Sequence, residues 1–335
     1  MGRSNLLLAA SAGAAGLAAA GAASASTIAY TSLGATSSHV LVMRGGGSDK
    51  ERLTSGSVVD VAPTLAPSGS RLVFVRRLAG DRDDLFRIDV DGSDLRRLSS
   101  TAVAEARPEW GPDGRLIAFE AVGANGVSEI VVMRPDGTGR RRLTRNAVDD
   151  LDPSWSPAAL RLVFTRHVGG TNAEIFVIRT DRTGRRRLTH RRGADDSPAW
   201  SSTGWIAYVR RLAEGAELRL VRPDGTANRR IVRSTRPLGS PVWSPDGSRL
   251  LFEVWDGVDT ELFRISANGT GLRRLTRNDV ADFGAVWAPG GGRIAYTRFS
   301  GDGNDVWTMR PDGSGKRRLT TSTAHQAVSD WGPGP

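Results

Sequence analysis

A leucine or isoleucine inside an Arg-Leu-Thr-like triplet returns seven times at a nearly fixed interval, at Leu53, Leu98, Leu143, Leu188, Ile231, Leu275 and Leu319. A second marker keeps step with it, at Leu65, Trp110, Trp155, Trp200, Trp243, Trp287 and Trp331. Both series advance by 45, 45, 45, 43, 44 and 44 residues. A repeat of this length cannot bury its apolar faces alone, so successive units must cover one another. In a strand-rich chain the period predicts an all-β fold, a β-propeller with one four-stranded antiparallel blade per repeat.

One repeat shows how. Pro108-Glu109-Trp110 reads as a short strand and Gly111-Pro112-Asp113-Gly114 as a turn, with Pro fixing one φ and Gly accepting a positive one. Leu116–Phe119 and Glu129–Met133 are apolar on successive positions, which suits strands covered on both faces. Pro135-Asp136-Gly137 turns the chain into Arg141-Arg142-Leu143-Thr144, where charge alternates with Leu as on a half-covered outer strand. On these fourth strands Arg97, Arg142, Arg187, Arg230, Arg274 and Arg318 are expected to ring the perimeter as a basic belt that discourages edge-to-edge pairing.

The ends of the chain predict how the ring closes. Residues 27–54 supply the second, third and fourth strands of a repeat, and residues 326–332 supply the missing first. With complete blades at 60–99, 105–144, 150–189, 195–232, 238–276 and 282–320, the expectation is one domain over 27–332 with seven blades, one of them a composite of both termini.

Composition narrows the rest. The chain has 335 residues and no cysteine, so disulfides and thiolate metal sites do not contribute. Net charge is +10, almost all from arginine, since Lys50 and Lys316 are the only lysines. A basic surface favours anionic partners. Residues 1–25 read as a signal peptide: Arg3, then an uncharged run rich in Leu, Ala and Gly from Leu6 to Ala23, then Ala23-Ser24-Ala25 ahead of a cleavage point. An exported protein is expected, in the periplasm, the cell envelope or outside the cell, with no membrane span in the mature chain.

Pro241-Val242-Trp243-Ser244-Pro245-Asp246-Gly247-Ser248-Arg249-Leu250 and the recurring Arg-Pro-Asp-Gly resemble the WD40-like propeller repeat (PD40) of TolB-type proteins, over about Thr27 to Trp331. The resemblance implies an exported propeller used for protein–protein contact. It also marks a difference: the TolB propeller has six blades and follows an α/β domain. The same repeat occurs in the propellers of prolyl-peptidase-like enzymes, whose hydrolase domain this chain has no room for.

Candidate chemistry is sparse. No Gly-x-Ser-x-Gly elbow occurs. Gly313-Ser314-Gly315-Lys316 lacks the earlier Gly of a phosphate loop, having Arg310 there, and lies in a turn between strands. The acidic turns Asp89–Asp94 and Gly301–Asp305 carry oxygen ligands but not a full calcium loop with its terminal Glu. His39, His167, His190 and His325 fall in connections that open on one face. Some seven-bladed members of the superfamily resemble a lyase class that holds its metal with His and Gln there, and Gln326 adjoins His325.

The most regular polar feature is an acid five residues before the inner-strand marker: Asp60, Glu105, Asp150, Asp195 and Asp282, with Leu238 and Gln326 at the remaining two positions. At the entrance of the innermost strands these five carboxylates would either cap backbone N–H groups or form a ligand-binding, cation-attracting channel mouth. The sequence therefore points to a monomeric, non-enzymatic module, without cofactor, metal or specific nucleic acid, that binds a protein or anionic polymer of the cell envelope through one face. The alternative is a metal-assisted carbohydrate lyase or hydrolase at the channel mouth, which clustered histidines would favour.

Overall fold

The computed structural model describes residues 26–79, 82–101, 103–191, 193–301 and 303–335; the expected signal peptide lies outside them. The described chain begins with β1 (Ser26–Leu33), β2 (Ser38–Arg44) and β3 (Glu51–Arg52). Four strands follow, β4 (Val59–Leu65), β5 (Arg71–Leu78), β6 (Arg82–Asp89) and β7 (Arg96–Arg97). The pattern then repeats as β8 (Glu105–Trp110), β9 (Ile117–Val122), β10 (Ser128–Met133) and β11 (Arg141–Arg142), and as β12 (Asp150–Trp155), β13 (Arg161–Gly169), β14 (Asn172–Arg179) and β15 (Arg186–Arg187). Next come β16 (Asp195–Trp200), β17 (Ile206–Arg211), β18 (Ala216–Val221) and β19 (Arg229–Ser234), then β20 (Val242–Trp243), β21 (Arg249–Trp255), β22 (Thr260–Ser266) and β23 (Arg273–Arg274). The last set is β24 (Asp282–Trp287), β25 (Ile294–Phe299), β26 (Asn304–Met309) and β27 (Arg317–Arg318), after which β28 (His325–Pro333) ends the chain.

The architecture is an all-β propeller with four-stranded antiparallel blades. Among the described residues, β8–β11, β12–β15, β16–β19, β20–β23 and β24–β27 form five such blades. The remaining strands form one eight-stranded sheet in the order β28-β1-β2-β4-β5-β6-β7, with β3 also on β2. Its two halves are antiparallel within themselves and meet at a single parallel bridge, Ser38 to Val59. The expected terminal pairing is present: β28 lies antiparallel to β1, with Trp331 opposite Ile28 and Pro333 opposite Ser26.

The two sequence markers are the residues that tie neighbouring blades together. The inner-strand tryptophans are buried, and all but Trp200 place the indole N–H on an acceptor. Trp110, Trp155, Trp243 and Trp287 donate to the carbonyls of Thr64, Glu109, Ala199 and Val242 in the preceding blade, at 3.2, 3.1, 3.0 and 3.3 Å. Trp331 donates to Ser26 Oγ at 2.8 Å. Apolar side chains of adjacent units fill the spaces between them, as where Val163, Ile175 and Leu188 meet Trp200, Ile206 and Tyr208.

The Arg-Leu-Thr triplet is equally specific. Its Leu is buried, and its Thr or Ser hydroxyl accepts the backbone N–H of the third strand, as from Ile130 to Thr144 and from Ile175 to Thr189 at 2.9 and 3.0 Å. The side chain thus replaces a ladder bond, and fourth strands such as β11 and β15 stop after two residues. Where Val232 stands in place of Thr, ladder pairing continues to Ser234 and β19 reaches six residues.

The inner strands β4, β8, β12, β16 and β24 kink two residues after the periodic acid. The register shifts there, and Ala62, Arg107, Asp152 and Ser197 take positive φ between 51° and 62°. Gly284 meets the same demand at φ 62° without a Cβ. Two of these bulged backbones are held by the blade before them: Asp152 N–H donates to Glu120 Oε1 at 2.6 Å and Gly284 N–H to Glu253 Oε1 at 2.7 Å.

Candidate functional site

In the five bulged inner strands the bulge lies two residues after the periodic acid. Asp60, Asp150, Asp195 and Asp282 are buried, and each faces an arginine at the paired position of the second strand. Every one of these pairs is bidentate. Arg76 holds Asp60 at 2.6 and 2.8 Å, Arg166 holds Asp150 at 2.6 and 2.6 Å, Arg210 holds Asp195 at 2.7 and 2.6 Å, and Arg298 holds Asp282 at 2.7 and 2.7 Å. Asn146 and Asn278, four residues before their acids, donate to Asp150 and Asp282 at 2.8 and 2.7 Å.

In three of the pairs the guanidinium also lies over aromatic rings of the second and third strands, and Arg210 lies over Tyr208 of the second strand. Arg76 sits 5.5 Å from the Phe74 ring and 4.7 Å from Phe86, and Arg166 sits 5.5 Å from Phe164 and 5.0 Å from Phe176. Arg298 lies over Tyr296 and Trp307 at 5.5 and 4.7 Å. A flat, weakly hydrated guanidinium suits contact with ring faces and satisfies a carboxylate with two parallel bonds.

The exceptions show how the clasp is built. Glu105 faces Ala121, and a different arginine serves it: Arg140 reaches Glu105 Oε1 at 2.9 Å and lies 5.5 Å from the Phe119 ring. In the β20–β23 blade both members are apolar, Leu238 opposite Val254. Gln326 faces Ser32 across the β28–β1 ladder. An acid therefore appears where a guanidinium can meet it, and both disappear together at Leu238 and Val254.

The signal for the arginines was present in the sequence as an aromatic-x-Arg series, Phe74-Val75-Arg76, Phe164-Thr165-Arg166, Tyr208-Val209-Arg210 and Tyr296-Thr297-Arg298. Its third position lies 15 or 16 residues after the acid.

The expected basic belt is on the fourth strands, but much of its charge is engaged. Third-strand acids, all buried, pair with it: Glu174 with Arg187 at 2.6 Å, Glu261 with Arg274 at 2.9 Å, Asp305 with Arg318 at 2.5 Å, Glu217 with Arg230 at 3.3 Å, and Asp84 with Arg97. Glu129 instead accepts from Asn146, leaving Arg142 outside this pattern. In β2 the acid position holds His39, whose pKa burial and nearby Arg52 push down.

The other candidates separate. His39 is buried in β2, His325 is exposed at the head of β28, and β1 runs between them. His167 lies 3.8 Å from Asp149 in another blade. No three His, Cys, Asp or Glu side chains among the described residues come together as a metal-holding group. In the acidic turn of β6–β7, Asp91 accepts from Ser93 N–H and Oγ at 2.9 and 2.6 Å, and Asp94 pairs with Arg87 and Arg96. Asp302 of the second turn lies outside the described residues, and Asp305 is bound by Arg318.

One exposed feature does not repeat around the ring. The position after the clasp arginine is Arg77, His167 and Arg211 in three blades, but Trp255, Phe299 and Leu33 at the matching ends of β21, β25 and β1. All three of the latter are exposed, as is Val258 in the β21–β22 loop, and they lie on consecutive units.

The sequence matches the model of the TolB β-propeller domain over residues 17–234 and 196–334. The chain belongs to the TolB β-propeller family. Solved structures share its fold at low identity. TolB from Acinetobacter baumannii is 16% identical, with TM-score 0.59 over 92% of this chain and 82% of that one. An oligogalacturonate lyase in complex with manganese is 12% identical, with TM-score 0.66 over 88% and 85%. A Mycobacterium tuberculosis puromycin-hydrolyzing peptidase is 14% identical, with TM-score 0.69 over 89% of this chain and 54% of that one, so this member of the TolB propeller family spans about half the peptidase. No curated protein matches the sequence. Among the described residues, no helix of this family member is long and apolar enough to cross a membrane.

Proposed function

We propose that this TolB-family chain is an exported, non-enzymatic, seven-bladed propeller that binds a protein or anionic polymer of the cell envelope through one face. The blade count takes the eight-stranded sheet as two blades joined at one bridge, β28-β1-β2-β3 and β4-β5-β6-β7. Buried clusters that join β1–β2 to β4–β6, and β24–β27 to β1 and β28, support that count.

The observation that carries the binding reading is the division between what repeats and what does not. The repeated carboxylates Asp60, Asp150, Asp195 and Asp282 are engaged by arginines of their own blades, and Glu105 by Arg140, so they serve the scaffold. The non-repeating Trp255, Val258, Phe299 and Leu33 expose apolar surface on one arc of one face. Large exposed apolar side chains gathered on neighbouring units are characteristic of interaction sites.

The test is capture from the cell envelope by the mature protein, with identification by mass spectrometry. A partner retained by the wild type and lost with Trp255→Ala/Phe299→Ala supports the reading; equal retention by both overturns the face assignment.

A metal-assisted lyase is the second reading. Its support is the fold shared with the manganese-bound lyase and two buried, unpartnered atoms, His39 Nδ1 and Gln326 Oε1, on the strands flanking β1. These residues do not make up a metal centre, so no chemical step follows from them. Manganese-dependent cleavage of a polyuronate by the purified chain would replace the binding reading with this one.

A further inference from the structure

The blades β4–β7 and β20–β23 carry the same arginine framework where the third strand turns into the fourth, and only the first of them neutralises it. In β4–β7, Arg71 faces Asp89 across the β5–β6 ladder and Arg87 faces Arg96 across β6–β7. Asp89 lies 3.2 Å from Arg71, and Asp94 bridges the other two, with one carboxylate oxygen on Arg87 and the other on Arg96. In β20–β23 the same register sets Arg249 opposite Ser266 and Arg264 opposite Arg273. Arg264 also keeps the bond that Arg87 makes to the following blade. Its Nη1 donates to the carbonyl of Pro311 at 3.1 Å, as Arg87 Nη1 donates to that of Pro135 at 3.2 Å.

The acids do not recur with the arginines. Ser266, Asn268 and Gly271 stand where β4–β7 has Asp89, Asp91 and Asp94. The turn itself is kept: Asn268 Oδ1 accepts from Thr270 N–H and Oγ1 at 3.0 and 2.8 Å, as Asp91 does from Ser93. Gly271 has φ 66°, close to the 53° of Asp94. The ion pairs of this blade run from Arg274 to Glu261 and Asp256, and among the described residues none reaches Arg249, Arg264 or Arg273. Burial and the like charges of Arg249 and Arg273 push the pKa of Arg264 down.

The position is open to solvent. Arg249, Gly271 and Arg273 are exposed, and Asp94 at the matching place in β4–β7 is partly so. The following blade extends the pattern, because Arg310 and Gly315 stand where Asp89 and Asp94 would. There Arg310 and Arg317, together with burial, lower the pKa of Arg293.

We infer that the turn end of β20–β23 seats an aspartate or glutamate side chain of a protein partner between Arg264 and Arg273, with a second acid of the same segment on Arg310 and Arg317. Asp94 supplies the geometry, a protein carboxylate giving one oxygen to each guanidinium in a charge-assisted bond. The net charge of +10 draws an acidic partner from a distance, and the unneutralised arginines fix where its carboxylates dock. The contact lies at the opposite end of the strands from Trp255 and Val258. It rests on the binding reading above only in taking a protein as the partner.

Calorimetry at low salt with acetyl-hexaaspartyl-amide and its hexaasparaginyl counterpart tests this. The aspartyl peptide is expected to bind at least tenfold more tightly than the asparaginyl one. Gly271→Asp, which rebuilds the β4–β7 arrangement, should weaken its binding at least tenfold. Gly139→Asp places the same charge at the matching turn of β8–β11, where Val132 faces Arg141, and should leave binding within twofold of the wild type. If Gly271→Asp fails to fold, Arg273→Gln on the exposed strand should show the same loss. Equal losses from the two Asp variants, an unchanged affinity in Gly271→Asp, or no heat at millimolar peptide would overturn the inference. Tighter binding of hexagalacturonate, which carries the same number of carboxylates, would overturn the choice of a protein. An empty envelope capture with the peptide results as expected would remove the apolar-arc reading and leave this contact. A partner captured through Trp255 and Phe299 alongside any overturning result would do the reverse.

Discussion

Asp150 and Arg166 illustrate what a repeated charge pair contributes. Both are buried and joined by two bonds of 2.6 Å, with the guanidinium lying against two stacked phenyl rings. Removing one partner of such a pair leaves an uncompensated charge, at a cost of about 3–5 kcal/mol. Asp150→Asn is therefore expected to destabilise the protein by that order in denaturant melts, a much larger loss than a solvent-facing cap would show. Asp150→Leu combined with Arg166→Val copies Leu238 and Val254, and should recover most of the loss. A double mutant no more stable than Asp150→Asn would contradict this. The acids were legible in the sequence by their period, yet their role was not. Which side chains face each other depends on ladder register, and a bulge two residues after each acid shifts that register. The aromatic-x-Arg series offered the missing half, read against the joint absence at Leu238 and Val254.

The element on which closure depends is β28, and its most sensitive residue is Asp330. The carboxylate accepts from Leu65 N–H at 2.8 Å and Thr64 Oγ1 at 3.2 Å, binding the last strand to the inner strand β4. Burial outweighs these bonds and pushes its pKa up to about 7. An acid whose folded pKa lies above its unfolded value of about 3.9 binds more protons when folded. Its contribution to stability is complete below pH ~4 and is lost as pH rises through 7. Asp330→Asn keeps an acceptor without the charge, so the difference in stability between mutant and wild type should grow in the mutant's favour from pH 4 to 8. Parallel stability curves across that range would refute the assignment. The terminal pairing itself was readable from the strand inventory, because residues 27–54 lacked a first strand. The burial of Asp330 was not, since its surroundings come from residues more than 260 positions away.

At the scale of the whole molecule, the fold and the proposed partner surface were legible to different degrees. Period and strand order come from features every repeat shares, and these set the propeller. The exposed Trp255, Phe299 and Leu33 occur only on three particular units, so no repeated signal announces them. The β28–β1 pairing has one more consequence, in mechanics. Ser26 and Pro333 face each other at the same end of an antiparallel ladder. A load applied through these two residues would open the ladder one rung at a time, with no rung sharing the strain. A pull through Ser26 and a mid-ring residue such as Ser201 would instead shear several blade contacts together. Single-molecule extension should find the first geometry yielding at clearly lower force than the second, although both start from the same equilibrium stability. Equal rupture forces would show that something besides this zipper holds the ends.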